Sequence, residues 1–89
     1  MFIQKFKIQG ESMEPAYKNG DHVLIWKYGK LKTGDVIIFK KNALTMIKRI
    51  HKIENNRFTV KGDNWQKSDE NFGTLEKNEI VGKVILKYA

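Results

Sequence analysis

The 89-residue chain contains no cysteine. That excludes disulfides and thiolate metal sites and leaves the protein able to fold in a reducing compartment. Its two histidines, His22 and His51, lie far apart and belong to no ligand-spaced cluster, so neither a metal nor another cofactor is expected. No apolar run approaches the roughly 18 residues needed to cross a bilayer. Lysines interrupt the opening MFIQKFKIQG, which therefore lacks a secretory apolar segment. A soluble, cytoplasmic protein is the expectation. Proline occurs once, at Pro15, and acidic residues are the scarcer charge, 10 against 17 basic, for a net +7. This balance admits anionic partners such as nucleic acid or a membrane surface. The lysines are nevertheless scattered, apart from KYGKLK (27–32) and KK (40–41), as on solvated strand faces and turns.

What is present is a series of short strand signals. FIQKFKI (2–8) places Phe2, Phe6 and Ile8 at even spacing, the period of a strand with one buried face. HVLIWK (22–27) and DVIIFK (35–40) are β-branched and aromatic runs, each announced by a Gly-Asp turn. LTMIKRIHKI (44–53) alternates over a longer span, RFTVK (57–61) follows the turn ENN, and EIVGKVILK (79–87) comes last. With no amphipathic helix among them, these strands predict an all-β fold, a small folded sheet or coiled β-barrel, in a single domain over 1–89. The two Gly-Asp turns look alike. Glycine supplies positive φ and aspartate bonds nearby amides, so Asp21 and Asp35 read as turn residues.

Two side chains fit no such structural reading. Ser12 sits in GESMEP (10–15), a stretch too polar for core and too irregular for a helix. On the strand predicted over 44–53, Lys48 falls on the same face as Leu44, Met46 and Ile50, although the opposite face (Ile47, Arg49, His51, Ile53) is equally mixed. A lysine pressed into apolar surroundings loses solvation of its charged form, its pKa falls, and it can then serve as a general base. A serine hydroxyl becomes an effective nucleophile beside such a base. From the residues alone, a Ser12–Lys48 pair and a lysine that snorkels to the surface both remain open.

The order of motifs goes further. GESMEP (10–15), NGDHVLI (19–25), TGDVIIF (33–39), IKRI (47–50) and GDN…S…FG (62–73), then IVGKV (80–84), resemble the type I signal peptidase family of serine proteases, within the LexA/signal peptidase superfamily. The resemblance implies that Ser12 is the nucleophile and Lys48 the general base. It implies that Met13 packs beside that lysine, that Ser68 orients its ammonium, and that the Ser12 N–H serves the oxyanion hole. Gly10 matches a position where some members carry a second, hydroxyl donor, and Arg49 and Asp63 match positions read as structural supports. The usual Ser-x-Asp-Ser-Arg after GDN is replaced here by SDENFG, without its arginine.

What such a resemblance implies is an endopeptidase acting on a precursor protein with an extended leader or signal segment, which binds as an added strand near residues 8–13. Short soluble relatives include the nickel superoxide dismutase maturation proteases. A generic signal-peptidase-like enzyme held at a membrane by charge or a partner is the alternative. Two rivals are a LexA-like self-cleaving switch and a basic β-barrel binding nucleic acid through Trp26, Tyr28, Phe39 and Trp65. No RNA-recognition signature accompanies those aromatics, and no nucleic-acid partner is expected. A catalytically dead interaction module is the last reading, resting on the altered SDENFG block.

Overall fold

The structure is a computed structural model that describes residues 3–27, 29–64 and 73–88. Seven strands are present: β1 (Ile3–Lys7), β2 (His22–Trp26), β3 (Val36–Lys41), β4 (Leu44–Glu54), β5 (Arg57–Lys61), β6 (Thr74–Glu76) and β7 (Ile80–Tyr88). They form one antiparallel sheet in the order β1-β2-β7-β3-β4-β5-β6. The predicted all-β class is the observed one, as an open coiled sheet whose edges do not close on each other. A single 3-10 turn, Lys77–Glu79, precedes β7.

Sequence patterning accounts for most of this. The unbroken run Val36-Ile37-Ile38-Phe39 is buried along its whole length, because β3 lies inside the sheet and both its faces are covered. Val36 and Ile38 join one apolar cluster with Ile8, Met13, Val23, Ile25 and Ile47. Ile37 and Phe39 join a second, on the other face, with Ile50, Phe58, Val60 and Leu75. Two-residue loops join β3 to β4 and β4 to β5. Their central residues, Asn42-Ala43 and Asn55-Asn56, all have positive φ, as tight hairpins of right-handed twist require.

The mixed faces of β4 also have a physical reason. Its register against β5 shifts between Ile50 and Lys52, a β-bulge that reverses the alternation. Ile53 therefore packs against the same cluster as Ile50 despite its odd number. The strand serves two cores, Ile47 in the first and Ile50 in the second.

Strand β6 is absent from the sequence reading, since three residues are too few to show alternation; Leu75, its one buried side chain, completes the second cluster. The two similar turns are built alike. The Lys18 N–H donates to Asp21 Oδ2 at 2.8 Å, the Lys32 N–H donates to Asp35 Oδ2 at 3.0 Å, and Gly20 and Gly34 have φ of 93° and 97°.

Candidate active site

The segment after β1 leaves the ladder abruptly. The Ile8 N–H donates to the Asp21 carbonyl and the Ile8 carbonyl accepts from Gly20, each at 2.8 Å, after which the chain turns through Gly10 with φ of 92°. Asn19 Oδ1 accepts the Gly10 N–H at 2.9 Å. Residues 11–17 coil back on themselves: Glu14 N–H donates to the Glu11 carbonyl at 3.1 Å and Tyr17 N–H to the Met13 carbonyl at 2.9 Å. Met13 anchors this coil in the first apolar cluster, 1% exposed, while Ser12 beside it stays half-buried.

The GDN segment (62–64) clasps that coil. Asn64 donates its backbone N–H to the Ser12 carbonyl at 2.7 Å and its side-chain Nδ2 to the Glu11 carbonyl at 3.0 Å. The Asp63 N–H donates to the Met13 sulfur at 3.4 Å. Asp63 in turn takes a two-pronged hydrogen bond from Arg49, Nε to Oδ1 at 2.9 Å and Nη2 to Oδ2 at 2.7 Å, and Arg49 Nη1 donates to the Gly34 carbonyl at 2.8 Å. The Asp63 carboxylate holds the Arg49 guanidinium above its usual value. Burial raises the nearby Tyr17 phenol, with Arg49 opposing and Asp63 reinforcing the shift.

Lys48 occupies the strand position before Arg49 and is 6% exposed, the one charged residue in the core among the described residues. It faces Ile37 across the β3–β4 ladder, with Met46 and Ile50 on its own side. The β4–β5 ladder begins at the next residue, Arg49 opposite Lys61, and Gly62 just beyond it is buried. Residues 62–64 leave β5, which pairs with the Lys48-bearing strand, and clasp the Ser12 coil. Ser12, Met13, Arg49 and Asp63 are linked through this segment, Gly10 opens the coil, and Lys48 precedes Arg49 on β4. Ser68 lies outside the described residues, as do Tyr28 and Trp65.

Of the aromatics proposed to stack on bases, Phe39 is fully buried and Trp26 is 40% exposed. Among the described residues no three His, Asp or Glu side chains stand together as a metal cage. No helix among them is long and apolar enough to cross a membrane.

A groove lies between two strand edges. Among the described residues β1 pairs only with β2, and β4 meets β5 only from Arg49 onward. The outer edge of β1 thus faces the unpaired stretch of β4 across a groove of about 260 Å³, lined by Phe6, Lys7, Gln9, Thr45, Met46 and Ile47. Ile8 spends both its backbone groups on the β2 side, so those of Lys7 and Gln9 point away from β2. The open edge therefore covers residues 6–9. The expectation of an edge over 8–13 is corrected, because residues 11–17 form turns.

Sequence reasoning missed Asn64. Its part is played through hydrogen bonds to residues more than fifty positions away, and the only sequence signal is its place in the GDN motif.

The Peptidase S24-like family model matches residues 5–85, nearly the whole of this sheet. The chain belongs to that family. It is 31% identical over 77 residues to signal peptidase IB of Staphylococcus aureus, covering 76% of this chain and 40% of that protein. It is 29% identical over 86 residues to the signal peptidase complex catalytic subunit of Lodderomyces elongisporus, covering 82% of this chain and 52% of that protein. The chain thus spans about half or less of the length of these curated relatives.

Proposed function

We propose that the protein is a serine endopeptidase with a Ser12–Lys48 dyad that removes an N-terminal leader or signal segment from a precursor protein. The observation that carries this reading is the burial of Lys48, 6% exposed, on the strand whose next residue, Arg49, holds the segment that clasps the Ser12 coil. Burial in apolar surroundings disfavours the charged form of an amine, which leaves a base. Family membership and similarity to signal peptidases support the same chemistry.

In this mechanism the neutral Lys48 amine takes the Ser12 hydroxyl proton as Oγ attacks the scissile carbonyl. The Ser12 N–H donates to the developing oxyanion. Collapse of the tetrahedral intermediate breaks the C–N bond, and the Lys48 ammonium protonates the departing amine. Lys48 then deprotonates a water that hydrolyses the acyl-enzyme. The substrate lies extended in the groove between β1 and β4, where both edges offer unpaired backbone groups. Met13 and the Arg49–Asp63 pair act as supports for the coil, and Gly10 leaves the oxyanion to backbone donors.

The test incubates the purified protein with leader-bearing precursors, a nickel superoxide dismutase precursor first among them, and reads products by mass spectrometry. A serine-directed covalent probe is expected to label Ser12. Ser12→Ala and Lys48→Ala are expected to abolish cleavage with the fold intact; retained cleavage by either variant would overturn the dyad.

A further inference from the structure

The groove beside β1 opens into a larger concavity of about 600 Å³ that shares Phe6 and Thr45 with it. Strand alternation explains its lining. Phe6, Ile25 and Ile38 face the first apolar cluster, and two residues further along the same faces come Gln4, Lys27 and Lys40. The apolar floor thus runs out onto a polar rim carrying two lysines, Lys27 just past the end of β2 and Lys40 on β3. No acidic side chain lines this concavity, and neither Lys27 nor Lys40 has a carboxylate within ion-pairing distance among the described residues. Lys41, Lys52, Lys83 and Lys87, by comparison, each have an acidic partner, and what sets Lys27 and Lys40 apart from the other unpaired lysines is that both line this concavity.

We propose that Lys27 and Lys40 make this concavity an acid-selecting subsite, so that the protein takes extended peptides with a Glu or Asp a few residues from the cleaved bond. The proposal deepens the peptidase reading and rests on it for the word "cleaved". Two ammonium groups over an apolar floor attract a carboxylate whose methylene stem lies on Phe6 and Ile38, and they repel a basic side chain at that position. Because alternate side chains of an extended peptide point the same way, the preference belongs to one position, or to two positions two residues apart. Exposed lysines contribute modestly each, so the expected preference for Glu over Lys is about threefold to tenfold at low salt, shrinking as salt is raised.

The experiment uses alanine-rich ten-residue peptides in which a single Glu, Gln or Lys is walked along the chain. Cleavage by the wild-type protein is read by mass spectrometry, and binding to the Ser12→Ala protein by fluorescence anisotropy. The expected result is a Glu preference confined as above, reversed in favour of Lys by the double substitution Lys27→Glu/Lys40→Glu. Thermal melting is expected to show the double variant folded, and its gain of Lys peptides separates lost selectivity from lost structure. Cleavage or binding indifferent to charge at every position overturns the subsite. If no peptide is cleaved, the peptidase reading falls, and the binding arm still decides: a reversible, position-specific Glu preference upholds the subsite and its absence overturns it. Tighter binding of a labelled single-stranded oligonucleotide than of any Glu peptide, through the same two lysines, also overturns it.

Discussion

The backbone N–H of Asn64 lies 2.7 Å from the Ser12 carbonyl and donates to it, joining positions 52 apart in the chain. With Asn64 Nδ2 on the Glu11 carbonyl, one residue fixes the two peptide units on either side of the proposed nucleophile. The serine's backbone is thereby fixed by hydrogen bonds from a single residue.

Asn64→Ala keeps the backbone bond and removes the side-chain one. The expected loss of stability is about 1 kcal/mol. The expected loss in kcat is larger, about tenfold or more with KM little changed, because small misplacement of a reacting group is heavily penalised. Chemical denaturation and steady-state kinetics on the same preparation check both.

Breaking the Arg49–Asp63 pair acts on stability more than the Asn64 change. Asp63→Ala leaves a guanidinium without its carboxylate, and the Arg49 side chain is 39% exposed, so solvent screens part of the effect. A loss of about 1–2 kcal/mol is expected, or about 5–15 °C in Tm for a chain of this size. Arg49→Lys is expected to recover less than half of the pair's contribution, since a point charge cannot reproduce the two-pronged geometry.

Ala43 offers the opposite change. Its φ of 66° puts a side-chain-bearing residue in the left-handed region, at the second position of the β3–β4 loop. Ala43→Gly relieves about 1–2 kcal/mol of steric strain against about 0.5–1 kcal/mol of added chain entropy in the unfolded state. A net gain of about 0.5–1 kcal/mol is expected, read as a higher denaturation midpoint at unchanged slope.

Tyr17 reports on the serine coil through its titration. Burial raises its phenol above the usual value of 10.0, which favours the protonated form in the folded state. A group with a raised folded-state pKa contributes stability that is fully present below its unfolded value and lost as pH rises through the folded one. Absorbance titration of the wild type minus Tyr17→Phe is expected to show a phenol ionising above 10, and the wild type should lose stability relative to the variant in that range. A difference curve centred at or below 10 would count against the burial described.

Much of this was legible before any coordinates. Val36-Ile37-Ile38-Phe39 announces a strand covered on both faces, and the two Gly-Asp turns carry their own hydrogen bonding within four residues. Lys48 stood out because a charge at an apolar position of a strand has few structural explanations. What escaped was non-local or too short. The bulge between Ile50 and Lys52 is set by how β4 meets β5, so Ile53 looked misplaced. Leu75 alone cannot declare a strand, and Asn64 shows its part only once β5 has carried it back to the serine coil. The lysines of the concavity looked scattered because β2, which ends just before Lys27, and β3, which bears Lys40, are separated in the sheet by β7.

That position of β7 has a consequence for how the protein is made. Residues 80–88 are synthesised after both the serine coil and the lysine strand, yet they lie between β2 and β3 and alone join the β1–β2 hairpin to the β3–β6 meander within the sheet. While the ribosome still shelters them, the two halves can form hairpins but have no shared strand along which to register. The nascent chain thus carries the proposed nucleophile and the proposed base on separate pieces until β7 emerges and zips them together.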